Sequence, residues 1–85
     1  MPEPCRFYGI AIFMFYDDHS PPHFHAVYGE NTVTVEIETG VVHGGFPRRA
    51  RGLVLAWVAE HRAELSENWF RARDRMPLQR IEPLE

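Results

Sequence analysis

The stretch that decides the fold of this sequence is HFHAVYGENTVTVEIE, residues 23–38. On both sides of its centre, successive residues alternate in character with a period of two, which is typical of a strand with one buried face. The glycine-led GEN at 29–31 fits the short loop of a hairpin. We predict an antiparallel hairpin whose second strand has two distinct faces: Val33, Val35 and Ile37 inward, and Thr34, Glu36 and Glu38 outward.

Strand patterns continue on both sides of this hairpin. Upstream, Arg6–Tyr16 is apolar on both alternating sets, which predicts a strand covered on both faces and central in its sheet. Downstream, the Thr39-Gly40 turn precedes a short strand at Val41–His43. Together these segments predict a small antiparallel β-meander of three to four strands.

The period then changes from two to about 3.6. From Pro47 to about Arg73, apolar residues recur every three or four positions, as on one side of a helix. The segment is either one bent helix or two helices joined near Arg62-Ala63. Its apolar stripe, with Trp57 and Trp69, is expected to pack on the sheet. The predicted fold class is therefore α+β, a single domain over residues 1–85.

Length and composition limit the function classes. A core of 85 residues is small and usually needs further support. The lone Cys5 cannot form an internal disulfide, so a metal ion or a partner chain, which a second copy could supply, remains open as that support. One thiol and no long apolar run point to a cytoplasmic protein with no membrane contact. The net charge of −3 argues against broad non-specific nucleic-acid binding.

A histidine-rich run, DDHSPPHFH at residues 17–25, is the main candidate for a functional site. In a strand, His23 and His25 point to the same face, and His19 would approach from the preceding loop. Asp17 or Asp18 would supply an oxygen ligand or orient an imidazole. Such a set suits zinc or another divalent first-row metal.

Two other interpretations of the run stay open. Without a metal, Asp18, His19, His23 and His25 could act as general acids or bases near neutral pH. In the other interpretation the histidines only hydrogen-bond carbonyl groups or tyrosines, and the two prolines set the hairpin geometry.

Three arginines occupy the predicted first helical turn in PRRAR, residues 47–51. The N-terminal end of a helix prefers anions, so cations there are locally unfavourable. They are explained if Arg48 and Arg49 bind an anionic ligand that the Gly44-Gly45 pair lets approach. Alternatively, they pair with Glu36 or Glu38. We hypothesise that these arginines and the histidine run share one ligand-binding surface.

Segments spread over nearly the whole chain resemble a bacterial family, the domain of unknown function 4160 (DUF 4160): RFYGI (6–10), DHSPPHFHAVYG (18–29), IETG (37–40), PRRA (47–50), ELSENW (64–69) and IEPL (81–84). Only Gly44-Gly45-Phe46 departs from the pattern. The resemblance implies a small bacterial protein paired with a DUF 2442-like protein in a toxin–antitoxin-like module. It implies no catalytic residue.

The resemblance and the residues leave two main hypotheses. In the first, the protein is a toxin-like component whose histidines and Arg48–Arg49 act on an anionic ligand, RNA or a nucleotide. In the second, it is a non-catalytic protein-binding module, with a metal-binding regulator as a further variant. Whether the protein is an enzyme is left open.

Overall fold

The computed structural model describes residues 5–16 and 18–85. These residues form a five-stranded antiparallel sheet in chain order, followed by one helix. The elements are β1 (Cys5–Phe7), β2 (Ile10–Phe13), β3 (His23–Tyr28), β4 (Asn31–Glu36), β5 (Val42–His43) and α1 (Arg48–Arg73). The predicted α+β class is confirmed, and the sheet has more strands than the three to four predicted.

The difference in strand number comes from a turn inside the predicted long first strand. Tyr8 and Gly9 both have positive φ, at 48° and 80°. Two such residues form the tight turn that matches the twist of a β-hairpin. The prediction of one central strand over Arg6–Tyr16 is therefore wrong: the segment folds into β1 and β2, and β1 is an edge strand.

The central hairpin agrees closely with the expected pattern. β3 pairs with β4 from His23 opposite Glu36 to Tyr28 opposite Asn31, so the turn itself is Gly29-Glu30. The three predicted inward residues of this segment are all at most 2% exposed, namely Val33, Val35 and Ile37. The hairpin thus sends one set of side chains to the core and leaves the other available for a site.

The helix covers one face of the sheet, as its apolar stripe predicts. Trp57 is fully buried and packs against Phe7 and Phe24, with ring centroids 5.3 and 5.8 Å apart. α1 is kinked at His61, where φ is −124° and ψ is 24°, so two helical stretches meet at this residue. Next to the kink, Arg62 donates a hydrogen bond from Nε to the carbonyl oxygen of Ile37, at 2.8 Å.

The C-terminal tail packs against α1 and the core that α1 covers. Trp57 donates from Nε1 to the Glu82 carbonyl oxygen at 2.8 Å, and Asn68 bonds both backbone groups of Gln79. Ile81 is 1% exposed within the core. No helix in the described part of the chain is long and apolar enough to cross a membrane.

Candidate metal centre

The loop between β2 and β3 brings an acidic side chain back over the start of β3. Asp18 lies in this loop, and its Oδ2 atom lies 3.0 Å from Nε2 of His23 and 3.2 Å from Nε2 of His25. The ligand atoms of all three residues lie within 4.8 Å of one another. Two imidazoles from one strand and one carboxylate thus converge on a single point, and we call these three residues the triad.

Backbone contacts set the orientation of His23. Its Nδ1 atom lies 2.8 Å from the carbonyl oxygen of Pro21. A carbonyl oxygen only accepts, so Nδ1 carries the proton and donates. In the neutral ring, Nε2 then holds a lone pair that faces Asp18. Metal-binding histidines are commonly held in this way, with the second ring nitrogen bonded to a carbonyl group.

A lone pair and a carboxylate oxygen 3.0 Å apart repel each other unless a positive charge lies between them. That charge is either a second proton on His23 or a metal ion. Metal–ligand bonds of about 2.0–2.2 Å place neighbouring ligand atoms about 3.0–3.4 Å apart, depending on the coordination geometry. The two distances from Asp18 Oδ2 to the imidazole nitrogens, 3.0 and 3.2 Å, lie in this range and also suit an ion pair.

Asp18 is held in the form that a metal requires. Burial by itself would raise the pKa of its carboxyl group, but hydrogen bonds from His25 and from the His19 backbone, with the nearby His23 and His25 charges, outweigh it. The net effect lowers the pKa of Asp18 below its ordinary value. The group is therefore a carboxylate at neutral pH, available as an oxygen ligand.

Aromatic rings pack around the two imidazoles. Phe15 contacts His25 edge-on, with centroids 4.5 Å apart, and Trp69 of α1 lies 5.1 Å from the His23 ring. His23 is almost fully buried, whereas its neighbour His25 is 19% exposed in its side chain. These contacts restrict the rotamers of both histidines, which favours a preformed site.

Two further ligands were predicted, His19 and Asp17. His19 has a side chain that is 88% exposed, and its Nδ1 approaches the other carboxylate oxygen of Asp18, Oδ1, at 3.1 Å. His19 is therefore beside the triad and not part of the group that converges. Asp17 lies outside the described residues.

The triad opens into a cavity of about 280 Å³ on the face of the sheet opposite to the buried side chains of Val33 and Val35. Three residues outside the predicted site also line it: Thr34, Glu36 and His43. Glu36 faces His23 across the β3–β4 ladder, and His43 pairs with Thr34 across the β4–β5 ladder. The sequence predicted that the side chains of Thr34 and Glu36 point away from the core. Only the strand register shows that they lie next to the histidines.

The structure does not bring the helix-start arginines to this cavity. Arg49 lines a separate depression of about 180 Å³ with Tyr8, Tyr28 and Pro47. Arg48 and Arg49 are exposed, and within the described residues neither forms an ion pair. Glu36 bonds His43 and Thr39 rather than an arginine. The alternative pairing with Glu36 therefore does not occur.

The fold and the site define a small antiparallel sheet with one covering helix and a His–His–Asp cluster on its open face. The sequence profile described as domain of unknown function (DUF4160) matches residues 9–70, a span that includes the whole triad. The chain belongs to this DUF4160 family. No curated protein and no solved structure matches the chain.

Proposed function

We propose that this protein is a metal-dependent, toxin-like component that binds an anionic ligand, RNA or a nucleotide, at the Asp18–His23–His25 centre. The observation that carries the proposal is the convergence of two imidazole nitrogens on one carboxylate oxygen, at 3.0 and 3.2 Å. Two histidines and one carboxylate form a known ligand set for divalent first-row metals. With only three protein side chains bound to it, the metal ion would keep open coordination positions for an oxygen atom of the anionic ligand.

The toxin-like part of the proposal is supported by the resemblance to DUF 4160 proteins encoded beside a DUF 2442-like neighbour. In that setting the protein would act in the bacterial cytoplasm, and the neighbour would be its protein partner. A metal centre also suits a small domain, because a metal that binds only the folded state adds its binding energy to stability.

Zinc titration by calorimetry tests the metal centre directly. The protein is purified without a His-tag, stripped of metal and compared with His25→Ala and Asp18→Asn. Loss of one ligand is expected to weaken zinc affinity by more than about 100-fold, since even changes around ligands cost 10–100-fold. His61→Asn is the matched control, because His61 bonds Glu64 on α1 and contributes nothing to the triad.

The same variants test the toxin-like role in cells. Induced expression of the wild-type chain is expected to arrest growth, and co-expression of the neighbouring protein to restore it. The double variant His23→Ala, His25→Ala is expected to be harmless although it is folded. A folded double variant that still arrests growth would refute a role for the centre in toxicity.

A non-catalytic protein-binding module is the second candidate function. It is favoured by the exposed rings of Phe15, which contacts His25, and of the next residue Tyr16; they are 38% and 44% exposed. Large exposed aromatic residues are typical anchors of protein interfaces. In this case a partner chain, or a second copy of the protein, would cover these rings, and the triad would set the loop conformation.

The anion contact predicted for Arg48 and Arg49 is a separate proposal. The first turn of α1 has no acidic residue, and Pro47 offers no side-chain cap to the helix. Free backbone N–H groups and arginine side chains at such a position suit a carboxylate or a phosphate. Any anion bound there would lie at a different place from the triad.

A further inference from the structure

A second pair of interacting side chains lies beside the triad in the same cavity. His43 Nε2 and Glu36 Oε2 are 2.8 Å apart, and Thr39 donates to the other Glu36 oxygen at 3.4 Å. Because a carboxylate only accepts, Nε2 of His43 carries the proton. The neutral ring then has its lone pair on Nδ1. A histidine whose tautomer is fixed by a carboxylate is a common arrangement for a general base.

The strand register places this pair opposite the triad. His25, Thr34 and His43 occupy one row across β3, β4 and β5, with Thr34 in the middle. Adjacent strands are about 4.8 Å apart, so the His25 and His43 backbones are roughly 10 Å apart. Both histidines and Thr34 line the cavity, so the space above Thr34 between the two strands is available to a small reacting group. The side chain of His43 is 59% exposed and reachable from solvent.

The local charge at the triad indicates the class of substrate. A divalent ion bound to Asp18 would have a local net charge of +1, which attracts the single negative charge of a phosphodiester, while the Glu36 carboxylate of the same cavity bonds His43. No lysine or arginine lines this cavity in the described part of the chain. The metal would therefore be the cation that holds the phosphate. The exposed ring of Phe15, packed edge-on against His25, offers a face on which a nucleobase can stack.

We propose that His43 is a catalytic general base, and Glu36 its positioning residue, for hydrolysis of a phosphodiester held at the triad; this rests on the proposed metal centre. His43 Nδ1 takes a proton from a water molecule, and the water oxygen forms a bond to phosphorus. The bond from phosphorus to the leaving oxygen breaks, and that oxygen takes up the proton from His43. One water is consumed, and a phosphomonoester and an alcohol are formed, with no redox change.

Hydrolysis of bis(4-nitrophenyl) phosphate by the zinc-loaded, untagged protein tests this assignment. His43→Ala is expected to lower kcat by about 10²–10⁴-fold, the usual contribution of a general base. KM and the zinc dissociation constant are expected to stay unchanged. Glu36→Gln is expected to lower kcat less, and the double variant no further than His43→Ala alone, because the two residues act as a unit.

Glu38→Gln is the matched control, since Glu38 is exposed and does not line the cavity. Its kcat is expected to equal that of the wild type. The assignment is overturned if His43→Ala keeps its kcat, if the losses in the two single variants add fully, or if the zinc-loaded wild type releases no 4-nitrophenolate. Zinc affinity is measured first in every variant, so failure of the metal centre is distinguished from failure of the base.

Discussion

Two neighbouring rows of the same sheet differ completely in their role. Cys5, Ile12, Ala26 and Val33 form one row across β1 to β4, and all four are at most 2% exposed under the helix. The next row has Phe13, His25, Thr34 and His43 on β2 to β5, and none of the four is buried. Successive side chains of a strand point to opposite faces, so residues one position apart have different roles. Those on one face stabilise the fold, and those on the other face line the candidate site.

The covered face is expected to show the largest effect of mutation. Phe24 is fully buried and stacks edge-on against Trp57. Phe24→Ala removes this packing and is expected to lower the free energy of unfolding by about 3–5 kcal/mol in urea denaturation. Thr34→Ala on the open face is the control, with an expected change of no more than about 0.5 kcal/mol.

If Phe24→Ala does not fold at all, Ile12→Val measures the same face more gently. Its expected loss is about 0.5–1.5 kcal/mol. Equal effects of Ile12→Val and Thr34→Ala would mean that the two faces do not divide the roles in this way.

Zinc is expected to stabilise the protein through the open face alone. At a free zinc concentration of about 100 times the dissociation constant, the gain in stability is about 2.7 kcal/mol. For a domain of this size, that gain raises Tm by more than about 10 °C. His25→Ala is expected to show no rise in thermal unfolding, whereas a rise equal to that of the wild type would place the metal elsewhere.

Much of the division between a covered face and an open face of the sheet was predictable from the sequence. Particular residues show which parts were not. Alternation fixed which side of β4 holds Val33 and Val35, and it placed His23 and His25 together. The turn at Tyr8-Gly9 was missed because Phe7 and Ile10 on either side of it are apolar, so the pattern resembles a continuous buried strand.

The contribution of Glu36 and His43 could not be predicted for a different reason. They approach the histidines only through the pairing of β3, β4 and β5, and a one-residue change of register would turn each of them to the other face. The hypothesis that the histidines share one surface with Arg48 and Arg49 was wrong for a related reason. The distance between β3 and the start of α1 depends on how the helix is oriented on the sheet. The periodicity of the sequence contains no information on this orientation.

Acid is expected to remove a stabilising contribution of the triad in the metal-free protein. The pKa of Asp18 is lower in the folded chain than its ordinary value, so its ionised form favours folding. This contribution is full above about pH 5 and is lost as the pH falls through the folded-state pKa, below about pH 4. Wild type and Asp18→Asn are expected to differ in urea stability at pH 6 and to converge as the pH falls below the folded-state pKa of Asp18; a difference independent of pH would contradict this.

The helix start is expected to show the smallest effect on the centre. The double variant Arg48→Ala, Arg49→Ala is expected to keep zinc affinity within about 2-fold, because the arginines do not line the cavity of the triad. Removing two cations from the N-terminal turn is also expected to leave stability unchanged or slightly higher, by a few tenths of a kcal/mol each. Calorimetry and urea denaturation measure both quantities, and a large fall in zinc affinity would connect the two regions.

The most direct test of the central claim is a cobalt(II) titration of the untagged, metal-free protein, followed by visible absorption. Bands of protein-bound cobalt are expected to appear and to saturate at one ion per chain. These bands are expected to disappear in Asp18→Asn and to persist in His61→Asn. Bands that persist in Asp18→Asn, or a wild-type spectrum that matches free cobalt throughout, would contradict a metal centre at Asp18, His23 and His25.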